Sequence, residues 1–143
     1  QSKTFKLVVF GDSLSAGYRL PQNQSFASQL QSQLYKLGYL NVNVINHSRS
    51  GETTGGGLKR LPAILEKEKP NGLILELGIN DVFRGYSVTE AENNLSKMIA
   101  DSVRQAVAEA ESKYIGILDG VDGQLDVYKK DIDYFFISHL NKK

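Results

Sequence analysis

Six consecutive positions near the amino terminus, Phe5-Lys6-Leu7-Val8-Val9-Phe10, are apolar except for one lysine. So continuous a run predicts a strand covered on both faces, as in parallel sheets. It leads straight into Gly11-Asp12-Ser13, and a polar loop follows through Pro21. Phe26, Leu30, Leu34 and Leu37 then recur at helical spacing, with Gly38 as the stop. Val42-Asn43-Val44-Ile45 predicts a second strand, and the stretch from His47 to Gly57, dense in Ser, Thr and Gly, reads as a loop. Leu58, Leu61 and Leu65 predict a short helix. A break or kink is expected at Pro62, because proline is tolerated only near a first turn. Pro70-Asn71-Gly72 punctuates the chain ahead of a third strand, Leu73-Ile74-Leu75-Glu76-Leu77, which Gly78-Ile79-Asn80-Asp81 closes.

The clearest helical signal comes next. Thr89 with Glu92 forms a capping box. Leu95, Met98, Ile99, Val103, Ala106, Val107 and Ala110 mark a sustained apolar stripe, in which Met98 reads as core filling. Tyr114 to Leu118 predicts a fourth strand, 119–123 a loop, and Tyr134-Phe135-Phe136-Ile137 a final strand with no clear helix after it. Strand and helix alternate throughout, so the fold class is α/β with a mainly parallel sheet. No repeat or linker interrupts the pattern, and 143 residues suit a single domain over 1–143.

Composition narrows the chemistry. A hydrophobic fraction of 41% with 23% charged residues is ordinary for a globular protein. Net charge is +1 and no basic stripe stands out, so neither nucleic acid nor an anionic membrane is an expected partner. The absence of cysteine excludes a disulfide scaffold, a thiolate nucleophile and any cysteine-bound metal. His47 and His139 lie far apart with no ligand spacing around either, so no metal site is expected. No apolar stretch approaches the roughly 20 residues that span a bilayer. No signal peptide is recognisable, and a start at Gln1 fits a mature or a trimmed form.

In an open parallel sheet, ligands bind outside the carboxyl ends of the strands. Three polar, glycine-containing segments follow strands here: Gly11-Asp12-Ser13, Ser50-Gly51-Glu52 and Gly78-Ile79-Asn80-Asp81. The topology brings all three to one edge. Ser13, just past a strand and entering a helical turn, is the candidate nucleophile, and such a serine needs a base and an oxyanion hole. Gly51 offers a backbone N–H with no side chain in the way, and Asn80 a side-chain amide. Each alone has a plainer meaning: a cap serine, a turn glycine, a turn Asn-Asp pair. Together, and in this order, they point to function. Gly11 to Gly17 is no phosphate loop, because Gly-Lys-Ser/Thr is missing. Gly55-Gly56-Gly57 does not fit the dinucleotide pattern. Gly11-Asp12-Ser13-Leu14-Ser15 lacks the second glycine of the α/β-hydrolase nucleophile elbow.

The segment Phe10 to Tyr18 resembles the first block of the GDSL, or SGNH, hydrolases. Ser50-Gly51-Glu52-Thr53-Thr54 with Gly57-Leu58-Lys59-Arg60-Leu61 resembles their second block, and Leu77-Gly78-Ile79-Asn80-Asp81 with Arg84-Gly85 their third. The likeness covers about 5–105 and is nearest the small bacterial arylesterases and thioesterase–lysophospholipases. It implies a flavodoxin-like, three-layer α/β/α fold and a periplasmic or secreted setting. It implies hydrolysis of a small acyl ester, or of a thioester or lysophospholipid, through an acyl-enzyme on Ser13. The Ser13 and Gly51 N–H groups and the Asn80 side chain would form the oxyanion hole, with no metal or organic cofactor.

The family's closing Asp-x-x-His block has no counterpart. Three residues before His139 stands Phe136, with Asp131 and Asp133 farther back, so 119–143 is atypical. His139 is the candidate base by position, and an exposed tail histidine beside Asn141-Lys142-Lys143 is the competing reading. His47 precedes the second block, where the family uses no catalytic residue, and reads as a sheet-end histidine. The end is either divergent but working, or incomplete. An incomplete one would expose apolar surface, so a monomer or weak dimer is expected. Leu20, Phe83 and Tyr86 would line an apolar groove or pack loop onto sheet, and Arg84 reads as a solvated loop arginine. Two alternatives to the esterase stay open: an acyl- or ligand-binding module that has lost its base, and a flavodoxin-like phosphate or nucleotide binder.

Overall fold

A computed structural model describes residues 4–108, 126–130 and 134–138. Strands β1 (Phe5–Gly11), β2 (Val42–Asn46) and β3 (Gly72–Glu76) form a parallel sheet in the order β2-β1-β3. Phe5 stands opposite Val42, and Leu7 opposite Gly72. This is the opening order of a flavodoxin-like sheet, and the α/β expectation is met. After β1 come a one-turn helix α1 (Ser13–Ala16), a 3-10 turn at Gln22–Gln24 and α2 (Phe26–Lys36). Helix α3 (Thr54–Glu68) links β2 to β3, and α4 (Ile79–Phe83) and α5 (Val88–Ala108) follow β3. A separate antiparallel pair, β4 (Asp126–Lys130) with β5 (Tyr134–Ser138), sets Asp126 opposite Ser138. The final strand is therefore present, but it pairs with β4, which the sequence pattern did not suggest. The predicted strand at 114–118 and the loop at 119–123 lie outside the described residues.

The two faces of β1 are both buried, as its unbroken apolar run requires. Val8 and Phe10 join Leu61, Ile64 and Leu65 of α3, Leu73, Leu75 and Leu77 around β3, and Leu95 and Met98 of α5 in one core. Leu7 and Val9, on the alternate face, are buried as well. The outer edge of β2 is occupied by a side chain. The Gln31 amide donates to the Val42 carbonyl at 2.9 Å and accepts from Val44 N–H at 2.8 Å, as a neighbouring strand would.

Three expectations need correction. The loop was expected to reach Gly57, yet α3 begins at Thr54, capped by Thr53, whose hydroxyl accepts from Gly56 N–H at 3.1 Å. Gly57 serves close packing: a Cβ there would lie 2.5 Å from Leu77 Cδ1. Nor does Pro62 end the helix, which runs on to Glu68. Proline inside a helix costs about 3 kcal/mol. Leu61, Ile64 and Leu65 are all buried on the same helix. Each contributes about 1.5–3 kcal/mol of burial, which outweighs that cost. The third correction is at α5. Its cap is Ser87, which accepts from Glu90 N–H at 3.3 Å, and Thr89 already lies inside the helix. Ser87-Val88-Thr89-Glu90 carries the same box signature two residues earlier, and there the first helical bond forms, Ala91 N–H to the Ser87 carbonyl at 3.0 Å.

Candidate active site

Ser13 is the first residue of α1, directly beyond the carboxyl end of the central strand. Asp12 fixes the start of that turn, its carboxylate accepting from Leu14 N–H at 2.9 Å and its carbonyl from Ala16 N–H at 2.8 Å. Gly17, with φ +85°, ends it and donates to the Ser13 carbonyl at 3.2 Å. The half-buried Ser13 is thus held on a short turn whose first N–H groups have no partner within the helix.

The flanking loops are tied to this turn and to each other. Gly11 N–H donates to Ser48 Oγ at 3.0 Å, and Arg49 N–H to the Gly11 carbonyl at 2.9 Å. Asn46 Nδ2 donates to the Ser15 carbonyl at 3.1 Å. Gly51 lies in the loop after β2 with φ +82°, a left-handed conformation that favours glycine, and is exposed. Asn80, in α4, donates from Nδ2 to the Glu52 carbonyl at 2.9 Å. A side-chain amide has two hydrogens, so this tether leaves the second for a ligand. Because β1 lies between β2 and β3, Ser13 leaves the sheet between the loop of Gly51 and the helix of Asn80.

Beneath these groups lie buried polar side chains that sequence reasoning missed. Asp81 accepts from Thr54 N–H at 2.8 Å and from Thr54 Oγ1 at 2.6 Å, and Asn94 Nδ2 donates to that hydroxyl at 3.1 Å. Glu52 pairs with Arg60, whose guanidinium lies 4.3 Å from the centre of the Phe10 ring. Glu76, the last residue of β3, accepts from Ser15 Oγ at 2.8 Å. Burial pushes its carboxyl up to about 7, with the charge of Asp12 adding to the effect. Burial raises Asp12 too. One signal was available for Glu76: an acid in the otherwise apolar run Leu73-Ile74-Leu75-Glu76-Leu77.

His47, the one histidine among the described residues, does not serve Ser13. Its Nε2 lies 2.7 Å from Glu68 Oε2, and Glu68 also holds Lys6 at 3.3 Å, near the start of β1. The hydrogen bond from His47 is the largest cause holding the Glu68 carboxyl below its ordinary range. The reading of His47 as a sheet-end residue stands. His139 lies outside the described residues. Leu20, Phe83 and Tyr86 are exposed. Arg84 is also exposed, and its guanidinium reaches the Gly51 carbonyl at 3.5 Å.

The chain matches the model of the GDSL-like lipase/acylhydrolase family over residues 9–131. It is 50% identical over 95 residues to an arylesterase of Vibrio mimicus, covering 66% of this chain and 47% of that protein. It is 38% identical over 103 residues to the thioesterase 1/protease 1/lysophospholipase L1 of Escherichia coli K12, covering 72% of this chain and 47% of the relative. The crystal structure of TesA superposes with a TM-score of 0.71 at 38% identity, covering 79% of this chain and 59% of that one. The chain spans about half the length of the curated relatives it matches. Among the described residues no helix is long and apolar enough to cross a membrane.

Proposed function

The chain belongs to the GDSL-like lipase/acylhydrolase family, and from that premise we propose that it is a serine esterase whose nucleophile is Ser13. Ser13 Oγ bonds to the carbonyl carbon of an acyl ester as its proton passes to a base. The alcohol or thiol leaves with that proton, and water then releases the acyl group from Ser13. The developing oxyanion is received by the Ser13 and Gly51 N–H groups and by the second Asn80 amide hydrogen. His139 is the candidate base. Thioesters and lysophospholipids are further candidate substrates, because a relative's name carries both activities. A periplasmic or secreted setting belongs to the same proposal.

The observation that carries this reading is the tether of Asn80 to the Glu52 carbonyl. It aims an amide at the loop of Gly51, beside the strand end from which Ser13 emerges. The phosphate or nucleotide binder is not favoured. Asp12, Glu52, Glu76 and Asp81 are all buried behind the strand ends, where a polyanion would meet carboxylates.

The test is intact mass after treatment with a fluorophosphonate, on wild type, Ser13→Ala and His139→Ala. One phosphonyl group on wild type and none on Ser13→Ala is expected, with slowed labelling of His139→Ala. No label on folded wild type would overturn the esterase and leave the acyl-binding module that has lost its base. An unchanged rate in His139→Ala would remove His139 from the role.

A further inference from the structure

Asp12 and Glu76 are two carboxyl groups packed together under the nucleophile turn, 0% and 8% exposed. Glu76 Oε1 accepts from Ser15 Oγ at 2.8 Å and from Asp12 N–H at 3.4 Å. The cradle is tight, since a Cβ on Gly11 would lie 2.7 Å from both the Glu76 carbonyl and Glu76 Oε1. Asp12 Oδ1 is occupied by Leu14 N–H. Its other oxygen, Oδ2, is buried with no protein donor. The Asp12 and Glu76 side chains lie within hydrogen-bonding reach of one another, and two carboxylates cannot bond to one another without a proton between them.

We propose that Glu76 is a positioning residue, which carries one proton shared with Asp12 and so clamps the Ser13 turn to β3. The name "nucleophile turn" rests on the esterase reading, but the shared proton does not. With that proton, Glu76 donates to Asp12 Oδ2 and still accepts from Ser15 and Asp12 N–H, which leaves no orphan at the pair. Without it, two buried negative charges face each other and the clamp loosens. Both groups have raised carboxyls, with burial the largest cause and Glu76 reaching about 7. The other ionisable groups of the surrounding loops are engaged elsewhere or exposed. His47 is held by Glu68, Glu52 by Arg60 and Asp81 by Thr54, while Arg49 and Arg84 are exposed.

The sign follows from the folded value lying above the unfolded one. Between about pH 4.5 and 7 the native chain keeps a proton that the unfolded chain has lost. Stability is therefore full below this window and falls as pH rises through it. Urea unfolding of the full chain from pH 5 to 9 is the experiment, on wild type, Glu76→Gln and Asp12→Asn. Glu76→Gln keeps an acceptor and a permanent donor, so its unfolding constant should escape a rise of ~10-fold or more that wild type shows. Asp12→Asn should shrink the rise by removing the facing charge. Amide exchange of Leu14 and Ser15, corrected for intrinsic rates, reads the clamp itself. Protection should drop in wild type at pH 8.5 relative to pH 5.5 and persist in Glu76→Gln.

Parallel pH curves for wild type and Glu76→Gln would overturn the shared proton. A stability difference without loss of protection at Leu14 and Ser15 would overturn the positioning role. Failure of the phosphonate label leaves both readouts intact, so the esterase reading and this one fail separately.

Discussion

Replacing Thr54 by valine isolates the bond that anchors α4 to α3. The two side chains have nearly the same shape, and only the hydroxyl is lost. Thr54 is 0% and Asp81 4% exposed, so water does not replace it. Thr54 Oγ1 donates to Asp81 Oδ2 at 2.6 Å, a short bond to a carboxylate. Such bonds contribute about 1.5–3 kcal/mol. The same oxygen accepts from half-buried Asn94 at 3.1 Å, and losing that partner adds roughly 0.5–1 kcal/mol. Asp81 retains the Thr54 N–H bond at 2.8 Å, which bounds the loss. The expected destabilisation is about 2–4 kcal/mol. With a urea slope of about 2 kcal/mol per molar, the middle of the usual range, the unfolding midpoint should fall by roughly 1–2 M. Thr54→Ser, which keeps the hydroxyl and drops a methyl, should cost about 1 kcal/mol. Equal losses in the two variants, or a loss below about 0.5 kcal/mol in Thr54→Val, would refute the claim that this bond holds the third loop in place.

Three further outcomes follow from the geometry. Asn80→Ala should lower kcat roughly 10²–10³-fold, most of it not recovered at saturating ester, because the amide acts on the oxyanion; steady-state kinetics on an aryl ester decide it. Gly57→Ala places a methyl 2.5 Å from Leu77 Cδ1 and should cost about 1–3 kcal/mol in urea unfolding, whereas helix propensity alone predicts a gain. His47→Gln should leave phosphonate labelling within about twofold of wild type, since its partner is Glu68, and a large drop would bring His47 back as the base.

The parallel strands were legible because each is a short, nearly unbroken apolar run with punctuation at its end, and burial on both faces leaves such a sequence no other use. The placing of Ser13, Gly51 and Asn80 at one edge of the sheet was legible for a related reason: a polar segment that follows an apolar strand lies at that strand's carboxyl end. The start of α3 was not, because Gly55-Gly56-Gly57 is locally a loop composition. Only the Leu77, Phe10 and Met98 side chains that crowd Gly57 explain it, and they come from β1, from α5 and from the residue just beyond β3. Pro62 misled in the same way, since its cost is local and the compensating burial is not. The carboxyl pair was invisible because Asp12 and Glu76 lie 64 residues apart and meet only through the β1–β3 register.

Four buried acids around the proposed oxyanion site look misplaced until each is followed to its partner. A lone carboxylate about 6 Å from a developing oxyanion opposes it by about 3 kcal/mol at an effective dielectric near 20, roughly two orders of magnitude in rate. Glu52 avoids this by pairing with Arg60, and Asp81 by accepting two bonds from Thr54. Asp12 and Glu76 have no cation, and a second charge between them would sit one residue from Ser13. A single shared proton removes it. The acids then act as acceptors that gather backbone N–H and hydroxyl donors into fixed loops, while the proposed oxyanion donors, at Gly51 and on the second hydrogen of Asn80, are left unspent. On this argument Glu76→Gln and an added cation near Asp12 are alike in effect, whereas Glu76→Asp, which keeps the carboxyl group but shortens its reach, should lose the clamp. That loss would appear as lowered protection at Leu14 even at pH 5.5, and full protection there would mean that packing of the turn, not the shared proton, holds it.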